Sequence, residues 1–496
     1  MNASLRFHPC FIRVRPWLYL VLRSVIKPIA VPLLAASVAV SALATERGQP
    51  NLLIVLADQW RAEAFGYAGN PDVRTPNLDQ LRREGGTVAF CNAVSAVPVC
   101  CPARASLFTG QRALTHGVFL NDVPLAGSAL TLANVLRQAG YDTAYIGKWH
   151  LDGRGRSNFT PPERRQGFDF WRAVECTHNY SNSIYYADTP QKLKWQGYDA
   201  FAQTRAAQEY LRARAGAAKP FFLVLSWGPP HDPYELAPAE LRASYPPAAL
   251  HLPPNVPPAM HAEARRMMSG YYAHCTALDG CCGQLRQTLR ETGLEPNTLL
   301  VFTADHGDLL GAHGGRNKQQ PYDDSVRVPL LLHWPAGFRE PHPRVVEAMI
   351  STEDLMPTLL SLCGVPIPAS VEGLDFSQCI RGGKDPSGGV ALISCIAPFG
   401  QWTRAKGGRE YRGIRTPRHT YVCDLNGPWL LFDNAKDPWQ TNNLVSQPKA
   451  AKLQRQLHAQ LQRKLAQAHD AFLPAGAYIR KWGYRVDATG TMPYEP

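Results

Sequence analysis

Cys100 opens the stretch of this chain richest in chemistry, Val99-Cys100-Cys101-Pro102-Ala103-Arg104-Ala105-Ser106-Leu107-Phe108-Thr109-Gly110. Pro102 suits the first turn of a helix, where its missing N–H costs nothing. The residues from Ala103 to Phe108 carry further helical turns, and Gly110 supplies a C-terminal cap. Cys100 is therefore expected at or just before a helix N-terminus. Free N–H groups and the helix dipole favour an anion there, and they lower a thiol pKa. Arg104, one turn on, adds to that effect. A reactive thiol is one reading; a buried or disulfide-bonded cysteine is the plainer one.

Four other polar clusters stand where apolar runs end. Residues 51–58 form a continuous apolar run closing in Asp58-Gln59, the pattern of a central parallel strand. Residues 142–146 lead into Gly147-Lys148-Trp149-His150, residues 221–226 into Trp227-Gly228-Pro229-Pro230-His231-Asp232, and residues 298–304 into Asp305-His306-Gly307-Asp308. In an open α/β sheet, ligands bind outside the carboxyl ends of the strands, so these clusters could share one pocket. Each is weak alone, because an Asp after a strand is ordinarily a turn or cap. His116 and His274 read as a loop histidine and a helix-face histidine. Asp232 and Asp308 read as partners of ligands rather than ligands.

The elements that must position these residues follow from periodicity. Helices are expected over 76–84 with Thr75 as cap, 131–139, 200–214 with Asp199 as cap, 262–292 and 354–363, and a further strand over 328–333. Strands alternating with helices predict an α/β fold with a large, mainly parallel sheet sandwiched by helices. Past Gly388 the pattern changes to short strands near 390–394, 412–414, 419–423 and 429–432, then a helix over 448–472. A smaller C-terminal antiparallel sheet with a packed helix is expected there. The domains expected are thus 45–387 and 388–496. Residues 152–189 break the alternation and crowd Arg154, Arg156, Arg164, Arg165, Trp171, His178, Tyr180, Tyr185 and Tyr186 together. They read as a functional loop or, equally, as a surface excursion.

The 496 residues are 45% hydrophobic and 19% charged, a globular composition. The formal net charge is +12. Part of it comes from Arg6, Arg13, Arg15, Arg23 and Lys27, in a segment that carries no acid. That segment precedes an apolar run ending Ser41-Ala42-Leu43-Ala44, so residues 1–44 read as an export signal, retained as an anchor if uncleaved. The expected address is periplasmic or extracellular. No nucleic-acid module is visible, and the remaining basic surface fits polyanions such as sulfated glycans no worse than nucleic acid. Of 12 cysteines, Cys10 falls in the signal; adjacent Cys281 and Cys282 read as packing.

Cys100-x-Pro102-Ala103-Arg104 followed by Ser106-Leu107-Phe108-Thr109-Gly110 resembles the signature of the type I sulfatases of the alkaline phosphatase superfamily. Gly147-Lys148-Trp149-His150-Leu151, Thr303 to Asp308, Asn317-Lys318, Arg327-Val328-Pro329 and the late run from Leu431 to Leu444 also resemble that family. The resemblance singles out Cys100 over Cys101, since only Cys100 has Pro at +2 and Arg at +4. It implies an alkaline phosphatase-like fold and a Cys100 converted to formylglycine by a formylglycine-generating enzyme. Of the hydrate's two hydroxyls, one would attack sulfur; the other, once deprotonated, would expel sulfate and regenerate the aldehyde. By the same resemblance Asp58, Gln59, Asp305 and His306, with modified Cys100, would hold one divalent cation. Oxygen donors favour calcium there, with manganese or magnesium as alternatives. Many members carry Asp where Gln59 stands and Asn where His306 stands. Lys148 and Lys318 would hold sulfate oxygens, and Arg104 would steady the nucleophile. His150 would be the base, and His231, with Lys318, the acid for the leaving oxygen. The implied substrate is a sulfated small molecule or glycan. A phosphonate monoester or phosphodiester hydrolase on the same scaffold is the alternative, and a silent glycan-binding protein is the alternative of another class.

Overall fold

The apolar runs become the middle of an eight-stranded sheet in the computed structural model, which describes residues 48–493 except 339 and 341. The expected export signal lies outside the described residues. In chain order the strands are β1 (Asn51–Asp58), β2 (Thr87–Val94), β3 (Asp142–Lys148), β4 (Phe170–Val174), β5 (Ile184–Tyr185), β6 (Leu193–Lys194), β7 (Phe221–Pro230), β8 (Thr298–Ala304), β9 (Leu330–His333) and β10 (Arg344–Ser351). A second sheet adds β11 (Ala391–Cys395), β12 (Tyr411–Arg415), β13 (His419–Asp424) and β14 (Gly427–Asp433).

The large sheet runs β10-β2-β9-β8-β1-β7-β3-β4. All its pairings are parallel except those of β9, which is antiparallel to both β2 and β8. The fold is thus α/β and mainly parallel, as periodicity predicts. β1, β7 and β8 are buried along their whole length, which only apolar runs without alternation permit. The four strands bearing polar clusters, β8, β1, β7 and β3, are consecutive neighbours, so their carboxyl ends open on one place. The second sheet is an antiparallel meander. The helix Ala451–Gln467 packs on it through Leu457, Leu461 and Leu465, against Ile414, Tyr421 and Leu431. Pro50–Pro496 form one compact unit holding both sheets.

Local differences from the expectations have physical reasons. β7 continues through Trp227 to Pro230 as buried strand, so the prolines end the strand rather than follow it. Three strands, β2, β4 and β10, interrupt their apolar residues with polar ones and carry no clean period. β4 lies inside the segment expected to be irregular, and pairs with β3. Tyr198, not Asp199, is the N-cap of the helix Asp199–Ala213, and the Asp199 carboxylate accepts from Ser183 instead. Thr131, expected as the first helical residue, instead caps the helix Leu132–Gln138 in a capping box with Asn134. Gly147 has φ 107°, and a Cβ there would stand 1.9 Å from the Ser226 carbonyl oxygen. Only glycine lets β3 lie this close to β7 just before Lys148. The eleven described cysteines are free thiols. Among the described residues no helix is long and apolar enough to cross a membrane.

Candidate active site

Cys100 is the first residue of the helix Cys100–Thr109, behind the extended Val99, so its predicted place at a helix start holds. Its Sγ lies 3.7 Å from Asp58 Oδ1, 3.2 Å from His306 Nε2 and 3.4 Å from Lys318 Nζ. Burial opposes thiol ionisation, but Lys148, Lys318 and His306 together hold the thiol well below its ordinary range. The other members of the cluster come from the end of β1 and the loop after β8. Within it the ligand atoms of Asp58, Cys100, Asp305 and His306 all lie inside 4.8 Å of one another, fully buried.

Arg104 organises this cluster from one helical turn below Cys100. Its Nε donates to Asp305 Oδ2 at 3.0 Å and its guanidinium reaches Asp58 Oδ2 at 3.2 Å. The remaining donor is divided between the Lys148 carbonyl at 2.8 Å and Ser226 Oγ at 2.9 Å. One side chain therefore ties β1, β3, β7 and β8 together at their carboxyl ends. Lys148 Nζ also donates to Asp58. Burial and the neighbouring Cys100 would raise the Asp58 carboxyl; Lys148, His231 and Arg104 outweigh them and hold it below the usual carboxylate range. Burial and the nearby Asp58 push Asp305 the other way.

A divalent cation fits this donor set. His306 Nδ1 donates to the Gly307 carbonyl at 2.9 Å, which leaves the lone pair of neutral imidazole on Nε2, facing Asp58 and Asp305. Asp58 Oδ1 has the thiol, at 3.7 Å, as its neighbour in the cluster. Two carboxylates buried this close need compensating positive charge. Gln59 stands beside the cluster, and its side chain is divided: Oε1 accepts from Lys318 Nζ at 2.9 Å and Nε2 donates to Asp308 Oδ2 at 2.8 Å. Asp308, which also accepts from Tyr234, acts on Gln59 as expected of a partner.

The acid and base candidates reach Cys100 from separate segments, His231 and Lys318 from the end of β7 and the loop after β8, and His150 from the end of β3. Lys318 Nζ sits 2.7 Å from His231 Nε2, with His231 Nδ1 on the Asp232 carbonyl at 2.7 Å. Asn317 donates to Asp232 and so joins the Lys318 loop to the end of β7. His150 Nε2 donates to Asp122 Oδ1 at 3.0 Å, while its buried Nδ1 has no hydrogen-bond partner. That division leaves Nδ1 turned to the Cys100 and Cys101 thiols. Burial opposes protonation of the ring, but Cys101, Cys176 and Asp122 hold its pKa well above the ordinary imidazole range. Asp122 and Ser226 carry no sequence signal of their own and were reachable only through the fold. Gln59, Asp122 and His150 all have positive φ, the backbone strain that clusters at functional sites. His116, expected in a loop, is instead the buried last residue of the short helix Ala113–His116 and bonds Ser106; His274 lies on the helix His261–Glu291 as expected and bonds Tyr198.

A buried thiol at a helix start, facing two carboxylates and ringed by Arg104, Lys148 and Lys318, is an arrangement suited to a sulfuric ester hydrolase. The family model described as Sulfatase matches residues 50–365, and this chain belongs to that family. A model described as N-sulphoglucosamine sulphohydrolase, C-terminal, matches residues 311–467. An ulvan-active sulfatase of Formosa agariphila is 43% identical over 445 residues, 88% of this chain and 85% of that one. An endo-4-O-sulfatase of Bacteroides thetaiotaomicron is 28% identical, covering 81% of this chain and 89% of its own. Among solved structures, a Bacteroides fragilis protein assigned as the sulfatase YidJ superposes with a TM-score of 0.78 at 33% identity, over 87% of this chain and 98% of the other.

Proposed function

We propose that this sulfatase removes sulfate from a sulfated carbohydrate, with Cys100 matured to formylglycine and one divalent cation, calcium before manganese or magnesium, held by Asp58, Asp305, His306 and residue 100, with Gln59 beside them. The observation that carries the reading is the ring around Cys100 Sγ, where two carboxylates and His306 meet Lys318 while His150 presents an unpartnered nitrogen. Together the modified residue and the cation would supply a hydroxyl nucleophile activated and oriented at neutral pH. The chain's own side chains do the rest. Lys148 and Lys318 hold the sulfuryl oxygens, where charge develops. Lys318 and His231, within hydrogen-bond reach of each other, share the proton that the departing sugar oxygen needs. His150 Nδ1 takes the proton whose loss allows sulfate to be expelled, and Asp122 keeps the other ring nitrogen protonated. Relatives that act on ulvan and as an endo-4-O-sulfatase support a glycan substrate. Export to the periplasm or beyond remains part of the proposal and accords with such a substrate.

The test has two arms. Peptide mass spectrometry of protein from a host with formylglycine-generating enzyme is expected to find residue 100 as the aldehyde, and chelation to abolish turnover. Sulfate release from sulfated oligosaccharides is then compared with hydrolysis of an aryl phosphodiester. An unmodified Cys100 in active protein, or a large preference for the diester, would overturn the reading.

A further inference from the structure

The segment after β4 carries an imidazole that the chemistry above does not use. His178 is exposed, and its ring lies face to face with that of His231, centroids 5.0 Å apart and 14° from parallel. Its place is fixed from both sides. Two residues on, the buried Tyr180 donates to the Asp232 carbonyl at 3.0 Å, and its ring packs so closely on Gly228 that a Cβ there would meet it at 2.8 Å. Two residues before, the Cys176 N–H donates to the Arg156 carbonyl at 3.1 Å, and Arg156 binds Asp122. Side-chain turns at Thr177 and Asn179 hold the intervening backbone. The ring is therefore anchored on the protein side by His231 and open on the other. Cover of its inner face by His231, with the nearby charges of His231, Lys148 and Arg156, lowers its pKa against the opposing pull of Asp232, so the ring is neutral at working pH and offers a π face rather than a charge.

We infer that His178 is the specificity-determining platform of the leaving-group side, the ring on which the sugar bearing the scissile sulfate stacks its C–H face. The sulfate itself is held by Lys148 and Lys318, and its alcohol oxygen leaves towards His231 and Lys318. A ring stacked on the outer side of His231 is thus where the rest of the sugar must pass. A flat, neutral aromatic face suits the apolar face of a pyranose. This inference rests on the glycan reading above, and it makes His178 a substrate contact, not a proton carrier.

Calorimetry separates the two. In a Cys100→Ala background, which cannot turn over, sulfated oligosaccharides cut from ulvan and inorganic sulfate are titrated with and without a change at His178. His178→Ala is expected to weaken oligosaccharide binding by about tenfold, the scale of one aromatic stacking contact, and to leave inorganic sulfate unchanged. His178→Phe, which keeps the face and loses the nitrogens, is expected to restore oligosaccharide affinity to within about threefold. Equal loss for both ligands, no loss for the oligosaccharide, or no rescue by Phe would overturn the inference and leave the glycan reading standing. Sulfate binding with no oligosaccharide binding in the Cys100→Ala protein would overturn both.

Discussion

His150 shows what a single hydrogen bond decides. Asp122 has two carboxylate oxygens and two donors, His150 Nε2 on Oδ1 at 3.0 Å and Arg156 on Oδ2 at 3.1 Å. Asparagine in its place has one acceptor for those two donors. With the oxygen turned to Arg156, its amide would face Nε2, and the imidazole proton would move to Nδ1, the nitrogen proposed to accept. Asp122→Asn is therefore expected to lower kcat by roughly 10²–10⁴, the range of a misdirected general base, with KM little changed. Steady-state kinetics check this, and a wild-type kcat would remove Asp122 from the mechanism. At this scale the sequence was partly legible. Cys100, Arg104, Lys148, His150, His231, Asp305 and His306 sit in recognisable motifs, and the fold brings all of them to one place. Asp122 and His178 were not legible as site residues, because a lone acid in a loop and a histidine in an aromatic-rich segment look the same whether or not they face a site.

At the scale of elements, the carboxyl ends of β8, β1, β7 and β3 were legible because fully buried parallel strands must be continuously apolar, and such runs announce their own ends. The strands β2, β4 and β10 were not, since partial exposure leaves mixed patterns. The segment carrying His178 is joined to the helix Asp199–Ala213 by Asp199, whose carboxylate accepts from Ser183 Oγ and Ser183 N–H. Burial raises this carboxyl to about 6, against the lowering effect of the Ser183 hydrogen bonds. It is 1% exposed, so the shift bears on stability. From its ordinary 3.8 up to about 6, the folded protein binds the proton and the unfolded chain does not. Stability from this group is therefore full below pH 3.8 and falls as pH rises to about 6, by ~3 kcal/mol in all. Asp199→Asn removes the charge and keeps one of the two acceptor oxygens that Ser183 uses. Thermal melts across that window should show the wild type losing stability relative to the variant as pH rises, and parallel pH curves would refute the argument.

At the scale of the whole molecule, the second sheet reaches the site through the residue after Lys318. Gln319 is 1% exposed and has φ 79°. Its N–H donates to the Pro98 carbonyl, two residues before Cys100, at 3.2 Å. Its amide pairs with both backbone groups of Phe399, donating to the carbonyl at 2.9 Å and accepting from the N–H at 3.2 Å. Its own carbonyl accepts from Tyr411 of β12 at 2.9 Å. The smaller sheet thus supplies none of the reacting groups discussed above, yet grips the backbone that aims Lys318. Gln319→Ala leaves the Phe399 N–H and carbonyl buried without partners, at about 1–3 kcal/mol each, and keeps a strained φ. Gln319→Gly loses the same two bonds but relieves the strain, so it should melt higher than Gln319→Ala. If the clamp on Phe399 positions Lys318, the two variants should nonetheless lose kcat alike, by about tenfold or more, since the proposed mechanism gives Lys318 both sulfate binding and proton delivery. Should kcat instead follow melting temperature, with Gln319→Gly near wild type, the second sheet would be stabilising the chain and not aiming its lysine.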